Sequence, residues 1–183
     1  MNKLELKHIV GYLPYGMQCK LNRLGVFNLD EEYPQQHNHI CHISSLQYVD
    51  NDWLVEISVN SQKYDYTYGM IGLDEFEPIL RPMSDLHKDI NGKIHLLELY
   101  AMASMGVYDN NFTISEDGVL DDTRNKMRVR WVKDVNKLYI DDYYKGKGGY
   151  YTVSIEIIEY LYENHFDIYG LIEQNLAIDI NTL

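Results

Sequence analysis

The C-terminal stretch, residues 148–183, constrains the fold more than any other part of this sequence. It begins with a glycine break and continues into a helix whose apolar residues recur at three- and four-residue spacing. These are Val153, Ile157, Ile158 and Leu161. An apolar tail then carries Phe166, Ile168, Leu171, Ile172, Leu176, Ile178 and Ile180. Because burial of apolar surface is favourable, we expect this helix and tail to dock into the core.

A period-two pattern dominates the first half of the chain. Residues 53–59 alternate, with Trp53, Val55, Ile57 and Val59 on one face and Leu54, Glu56 and Ser58 on the other, which predicts a half-buried strand. The turn residues 50–52 precede it and follow another apolar stretch at 40–49, so the two form a predicted hairpin. At 183 residues the chain fits a single domain over 1–183. The predicted class is α+β, with a mostly antiparallel sheet packed by two or three helices.

The remaining elements are predicted from shorter patterns. Residues 4–12 are typical of a short helix, and 110–122 of a polar turn region. Residues 93–105 are typical of a helix, whose expected buried face is Ile94, Leu97, Ala101 and Met105. Further strands are predicted at 17–21, 24–29, 126–134 and 137–140. Pro82 ends a strand near 78–81 and, lacking an amide hydrogen, suggests a sheet edge there.

Composition sets the expected location and partners. The chain starts with charged residues rather than an apolar signal peptide, and it lacks the ~20-residue apolar run of a membrane span. Two cysteines are too few for a disulfide scaffold and indicate a reducing compartment. We therefore expect a soluble protein of the cytoplasm. The net charge of -12 favours basic partners and disfavours adventitious contact with nucleic acid or anionic membranes.

The histidine-rich segment HNHICH is the first candidate site, for a transition metal. On an extended strand, His37, His39 and Cys41 point to one side, where they are able to ligate zinc or another transition metal. A fourth ligand would have to come from elsewhere, and the spacing matches no familiar zinc motif. The alternative is an ordinary loop and strand entry, which the sequence favours, so no cofactor is expected. A small metal-dependent enzyme remains the function that this segment would support.

A basic strand is the second candidate. Arg124, Lys126, Arg128 and Arg130 alternate with apolar residues and so share one face of a strand. Half of the 16 basic residues lie between positions 124 and 147, which is the pattern of a phosphate-contacting stripe. The alternative is the solvated face of a sheet whose basic residues pair with neighbouring acids.

Acidic and tyrosine-rich segments form the third candidate. The chain has 17 tyrosines against four phenylalanines, and tyrosine suits half-buried strands and interfaces. The predicted partner-binding residues are Asp30, Glu31, Glu32, Tyr64, Tyr66, Tyr68, Asp74, Glu75, Asp141, Asp142, Tyr143 and Tyr144. An extended negative surface of this kind competes for a nucleic-acid channel on another protein. No GxSxG, HExxH or P-loop motif is present, so no catalytic residue is predicted.

Three segments carry a resemblance to a known family. LKHIVGYLPYG at 6–16, EPILRPMSDL at 77–86 and HFDIYGLIEQNLAIDIN at 165–181 resemble a family of uncharacterised phage and prophage proteins from Bacteroides- and Flavobacterium-type bacteria. The resemblance implies one domain and a small protein encoded by a mobile element, acting in the host cytoplasm. It transfers no catalytic role onto any residue.

The expected function is that of a non-enzymatic interaction protein. We expect it to inhibit a host nucleic-acid-dependent defence complex, in the manner of an anti-CRISPR protein, by binding a basic protein through its acidic, tyrosine-rich surface. Two alternatives remain open, namely direct nucleic-acid binding by the basic strand and metal-dependent catalysis by the histidine segment.

Overall fold

The structure is a computed structural model, and it describes residues 3–21, 40–61, 64–104, 112–124, 127–132, 137–142, 149–150 and 153–183. The chain packs as two compact units. The first unit contains Met1–Arg81 and Leu171–Leu183, and the second contains Pro82–Gly170. The predicted α+β class with mostly antiparallel pairing is confirmed. The single domain over 1–183 stays a prediction.

The elements follow one another in chain order. The strands are β1 (Gln18–Leu21), β2 (Ile40–Val49), β3 (Asp52–Ser61), β4 (Tyr64–Gly72), β5 (Phe76–Leu80), β6 (Asp89–Ile90), β7 (Lys93–Ile94), β8 (Phe112–Ile114), β9 (Val119–Asp122), β10 (Met127–Val132), β11 (Lys137–Asp142), β12 (Gly149–Tyr150) and β13 (Ile178–Asp179). The α-helices are α1 (His95–Ala103) and α2 (Ile155–Glu163). Short 3-10 turns occupy Leu6–His8, Leu13–Tyr15, Met83–His87 and Ile180–Thr182. No helix in the described ranges is both long and apolar enough to cross a membrane.

The first unit is built on a six-stranded sheet in the order β13-β5-β1-β2-β3-β4. The predicted β2–β3 hairpin is confirmed. Asp50 and Asn51 connect its strands with φ of 50° and 68°, which gives the backbone twist that two-residue hairpin turns require. The predicted alternation is also confirmed, because Val55 and Ile57 are fully buried.

Two predictions in the first unit are wrong. Residues 4–12 form a 3-10 turn followed by further turns rather than one helix, because Gly11 and Pro14 interrupt the pattern. Strand β5 is not at an edge, since β1 pairs with it on one side and β13 on the other. The C-terminal strand β13 pairs with β5 on the side that was predicted to be an edge. Pro82 lies outside β5, immediately before the Met83–His87 turn.

The second unit contains a five-stranded antiparallel sheet in the order β12-β11-β10-β9-β8. The polar turn region predicted at 110–122 is wrong, because it holds the β8–β9 hairpin with Gly118 at φ 72° in the turn. The strands were missed because they are short and their apolar positions are few. Ile114 pairs with the fully buried Leu120, so the hairpin still contributes to the core.

The two helices pack against this second core. In α1 the buried face is His95, Leu96, Leu99 and Tyr100, so the predicted face of Ile94, Leu97 and Ala101 is rotated from the observed one. Met105 lies outside the described residues. In α2, Ile157, Tyr160 and Leu161 are buried as the apolar stripe predicted. The tail follows this helix: Phe166 belongs to the second core, and Leu171 is fully buried in the first unit.

Candidate functional site

The end of the β2–β3 hairpin, residues 48–53, exposes two aromatic side chains and is called the hairpin tip below. Tyr48 and Trp53 are cross-strand partners, with ring centroids 5.0 Å apart and ring planes inclined at 48°. Trp53 shares a strand face with the buried Val55 and Ile57, but the core does not extend over it. As a result, Tyr48 is 58% exposed and Trp53 36% exposed.

Two carboxylates flank this aromatic pair. Asp50 and Asp52 are both exposed, one in the turn and one at the first position of β3. The backbone amide of Trp53 donates to Asp52 Oδ1 at 3.1 Å, which orders that carboxylate, although Asp52 and Trp53 alternate along β3 and so face opposite sides of the hairpin. Within the described residues, neither carboxylate has an ion-pair partner. Exposed aromatic faces beside acids suit a group that is cationic and partly apolar.

The hairpin tip was not predicted as a site. The sequence predicts the hairpin, with a turn at 50–52 and Trp53 in a strand, whereas the structure places Asp52 at the start of β3. The register across the turn was not predicted. Tyr48 and Trp53 stand equally far from the two central residues, Asp50 and Asn51, so they must face each other once the hairpin forms.

The predicted acidic, tyrosine-rich residues are spread over both units. Asp30, Glu31, Glu32, Tyr143 and Tyr144 lie outside the described residues. Tyr64, Tyr66 and Tyr68 lie on β4, the strand at the end of the six-stranded order, and Asp142 lies at the end of β11.

Two of the predicted carboxylates have partners within the protein. Glu75 accepts a hydrogen bond from the Gly72 amide at 2.7 Å, while the neighbouring Asp74 is exposed. Asp141 pairs with Arg130 and is only 16% exposed.

The basic strand has the predicted alternation, since Met127 and Val129 are buried while Arg128 and Arg130 are not. Its arginines pair with acids on the neighbouring strands. Arg128 Nη2 lies 2.6 Å from Asp121 on β9, and Arg130 Nη2 lies 3.5 Å from Asp141 on β11.

Arg130 makes a second contact, because its guanidinium lies 5.5 Å from the centre of the Tyr139 ring. Arg124 follows β9, and its amide donates to Asp122, whereas Lys126 lies outside the described residues. The positive charge of Arg128 and Arg130 is thus largely offset within the sheet.

Cys41 of the histidine segment points into the first core. It is fully buried opposite Cys19 of β1, whereas His42 faces the other side of the strand. Burial raises the pKa of the Cys41 thiol to about 11, so the thiol is protonated at neutral pH and is a poor metal ligand. His37 and His39 lie outside the described residues. In the part of the chain that is described, no three His, Cys, Asp or Glu side chains form a group able to hold a metal ion.

The two cysteines are also poorly placed for a disulfide. The Ile43 amide donates to the Met17 carbonyl at 2.9 Å, so these opposed residues form a hydrogen-bonded pair. Cys19 and Cys41 each lie two residues from this pair on their own strand, and such pairs alternate, so they are also a hydrogen-bonded pair. The Cβ atoms of such pairs lie about 5.5 Å apart, beyond the roughly 3.5–4.5 Å of a disulfide. The pair is best explained as reduced core packing.

The second unit buries several polar side chains that the sequence analysis missed. His95 Nδ1 lies 2.7 Å from the Tyr160 hydroxyl, and the His95 ring meets Phe166 edge-on. Burial raises the pKa of Tyr160, and Lys93, whose Nζ is 5.0 Å from the Tyr160 ring centre, partly opposes this shift.

A second buried pair lies between α1 and β9. The hydroxyl of Tyr100 donates to the fully buried Asp122. These groups are of the types that transfer protons, but each has a partner within the protein. They are therefore best explained as structural.

The comparisons add no relative to this description. No protein family, no curated protein and no solved structure matches the chain. The similarity to phage and prophage proteins consequently stays a prediction from the sequence.

Proposed function

We propose that the protein acts by binding a basic protein, with the hairpin tip as its contact surface. The observation that carries this proposal is the exposed Tyr48–Trp53 pair on a hairpin end that also exposes two carboxylates, which no cation of the described chain neutralises. Tyrosine and tryptophan are enriched among the few residues that provide most of the affinity of protein interfaces. Carboxylates around them would steer a partner of opposite charge and fix its orientation.

The whole chain has the same electrostatic preference as the tip. Its net charge of -12 attracts basic surfaces over distances of about one Debye length. Proteins that handle DNA or RNA carry such surfaces, because they must bind phosphates. The proposed role is non-catalytic inhibition of a host nucleic-acid-dependent defence complex, in which the acidic protein competes with nucleic acid for a basic channel. The resemblance to phage and prophage proteins supports this setting.

The ion pairs of the second unit favour this proposal over direct binding of nucleic acid. Arg128 and Arg130 would have to exchange Asp121 and Asp141 for phosphates before they contributed to such binding. The acids next to them would also repel the phosphate backbone. The hairpin tip requires no such exchange, because no described cation is bound to its carboxylates.

The test is an affinity capture of tagged protein from a bacterial host lysate, with and without nuclease, read by mass spectrometry. We expect a basic nucleic-acid-handling protein to be retained after nuclease treatment. The double variant Tyr48→Ala/Trp53→Ala should weaken this capture at least about tenfold, since truncation of central interface aromatics typically has that effect.

The matched control is Ile155→Ala, which removes an apolar side chain that is 64% exposed in the second unit. It should capture as much partner as the unmodified protein. Capture that persists in the tip variant would exclude the tip as the contact surface. Capture that disappears with nuclease would instead favour nucleic-acid binding.

A further inference from the structure

We propose that Asn91 is a site of spontaneous covalent modification, at which the asparagine converts to aspartate or isoaspartate, and that the Asp89 carboxylate restrains this reaction. The inference does not depend on the proposed function, because it concerns the turn between β6 and β7 in the second unit. The step from Asn91 to Gly92 is the one Asn-Gly pair in the sequence. Both of its residues are exposed.

The reaction requires an asparagine whose side chain the next backbone nitrogen is able to attack. The Gly92 nitrogen gives its proton to a base of the solvent and forms a bond to Asn91 Cγ. The bond between Cγ and Nδ2 then breaks, and Nδ2 takes up a proton and leaves as ammonia. Water opens the resulting cyclic imide at either carbonyl, which gives aspartate or isoaspartate at position 91. Glycine favours the attack because it has no Cβ to obstruct it.

The β6–β7 hairpin places this pair at the centre of a tight turn. Ile90 pairs with Lys93, so Asn91 and Gly92 are the two residues of the loop. Their φ values of 55° and 81° are both positive, as in a type I′ turn. A Cβ built at Gly92 would meet no atom of the described residues within 4 Å, apart from those of its chain neighbours. The space beside Gly92 is therefore open to water.

The Asp89 carboxylate restrains the reaction by holding the attacking nitrogen. The Gly92 amide donates to Asp89 Oδ1 at 2.7 Å. Such a charge-assisted hydrogen bond stabilises the protonated amide. Loss of the proton would also place a second negative charge beside the carboxylate, which is unfavourable. The Gly92 nitrogen consequently becomes reactive when the turn opens and this hydrogen bond breaks.

The hairpin is short enough to open locally. Each strand has two residues, and the ladder consists of the pairs Asp89–Ile94 and Ile90–Lys93. Two strands of this length gain little stability from their own pairing, so the turn opens at a smaller cost than the whole protein unfolds. The rate at Asn91 is thus set largely by how firmly Asp89 holds the turn.

The product changes both the charge and the backbone of the turn. Aspartate and isoaspartate each add a carboxylate to a chain whose net charge is already -12. Isoaspartate also lengthens the backbone by one methylene group, which would disturb the neighbouring Ile90–Lys93 pair. Lys93 Nζ lies 5.0 Å from the centre of the Tyr160 ring, so this contact would be disturbed as well.

The experiment incubates the full chain at several pH values from neutral to mildly alkaline and assigns the modified asparagines by peptide mass spectrometry. We expect Asn91 to convert faster than Asn175, which is also exposed and has a φ of 55° but precedes Leu176. Isoaspartate should form, because the cyclic imide opens at either carbonyl. The rate should rise with pH, because the attack requires loss of the amide proton.

Matched variants test the role of Asp89. Asp89→Ala removes the acceptor of the Gly92 amide and should accelerate conversion of Asn91 at least about fivefold. Asp89→Asn keeps an acceptor oxygen without the charge and should accelerate it less. In both variants, Asn175 is the internal control and should convert at the rate of the unmodified protein.

The outcomes are distinct for the site and for its restraint. Conversion of Asn91 no faster than that of Asn175, or formation of aspartate without isoaspartate, would overturn the site. An unchanged or lower rate at Asn91 in Asp89→Ala would overturn the restraint. If that variant accelerated both asparagines equally, it would have lost its fold, and Asp89→Asn would decide. An unchanged rate at Asn91 in Asp89→Asn would then contradict the restraint.

Discussion

The two units differ in where they keep their polar groups. Among the described residues, the buried polar or charged side chains all belong to the second unit: Asp85, His95, Asp122 and Asp167. The exposed large apolar side chains lie mostly in the first unit: Val10, Ile40, Tyr48, Val49, Trp53 and Leu183, against Met102 and Ile155 in the second. The second unit therefore uses polar groups to specify its own fold. The first has an apolar core and exposes aromatic and acidic groups at the hairpin tip.

The largest effect on stability is expected at Asp122 of the second unit. Asp122→Ala removes the fully buried carboxylate that accepts from the Tyr100 hydroxyl and from the part-buried amide of Arg124. The loss of both hydrogen bonds should cost about 3 kcal/mol of unfolding free energy. Urea denaturation of the full chain measures the change.

Asp50→Ala is the control for this prediction, because it removes a carboxylate that is exposed in the first unit. Its effect should stay within about 0.5 kcal/mol. Equal losses of unfolding free energy in the two variants would contradict the idea that the second unit depends on its buried polar groups more than the first depends on its exposed ones.

A smaller loss is expected when a single buried hydroxyl is removed. Tyr160→Phe keeps the ring but deprives His95 Nδ1 of its partner at 2.7 Å, so we expect about 1–2 kcal/mol of destabilisation. Tyr48→Phe makes the same chemical change on an exposed ring and should be close to neutral. Paired urea titrations of the two variants test this. A neutral Tyr160→Phe would show that the buried contact adds nothing to the second unit.

The free energy of unfolding should fall at alkaline pH, because the core of the first unit contains two buried thiols. Burial raises the pKa of the Cys41 thiol from 9.0 to about 11, and the pKa of Cys19 is raised by burial and by the nearby Cys41. The unfolded chain therefore releases these protons before the folded protein does. The resulting stability is fully present below pH 9 and is lost as the pH rises from 9 towards 11.

Cys41→Ala tests this assignment. We expect lower stability at neutral pH, because a buried thiol group is lost from the core, but a shallower decline between pH 9 and 11. Denaturation midpoints at several pH values provide the measurement. An unchanged slope would mean that other groups, such as the buried tyrosines of the second unit, cause the alkaline loss.

The smallest effect is expected at the ion pair of Arg130 and Asp141. The two side chains are 37% and 16% exposed, so water and salt screen much of their attraction. A double-mutant cycle with Arg130→Ala and Asp141→Ala should give a coupling energy of about 0.5–1 kcal/mol that falls with added salt. A coupling energy of zero would mean that these charges are as available to partners as those of the hairpin tip.

Local patterns were sufficient to predict the class and the strongest elements. The alternation around Val55 and Ile57 and the turn at Asp50 and Asn51 specify the β2–β3 hairpin without tertiary information. The β8–β9 hairpin could not be predicted in this way, because its few apolar side chains are buried only through contacts with distant elements. The buried face of α1 was mistaken for the same reason, since His95 is buried by Tyr160, which lies 65 residues away in the sequence.

The candidate sites also differ in whether local sequence is sufficient to predict them. The pairing of Tyr48 with Trp53 at the hairpin tip follows from counting across its two-residue turn. The pairing of Arg128 and Arg130 depends instead on the register of three strands, β9, β10 and β11, which no local pattern encodes. A run of basic residues therefore says little about free charge until the neighbours of its strand are known.

The parallel pairing of β13 with β5 determines when the six-stranded sheet can be completed during synthesis. Ile178 pairs with Ile79, but the ribosome must first synthesise the whole of Pro82–Gly170. During that interval, β5 lacks the neighbour on one side that it has in the finished sheet, and its backbone groups there are left unpaired with β13. The segments of the second unit emerge without a comparable gap. The first unit to begin synthesis is thus the last to be completed.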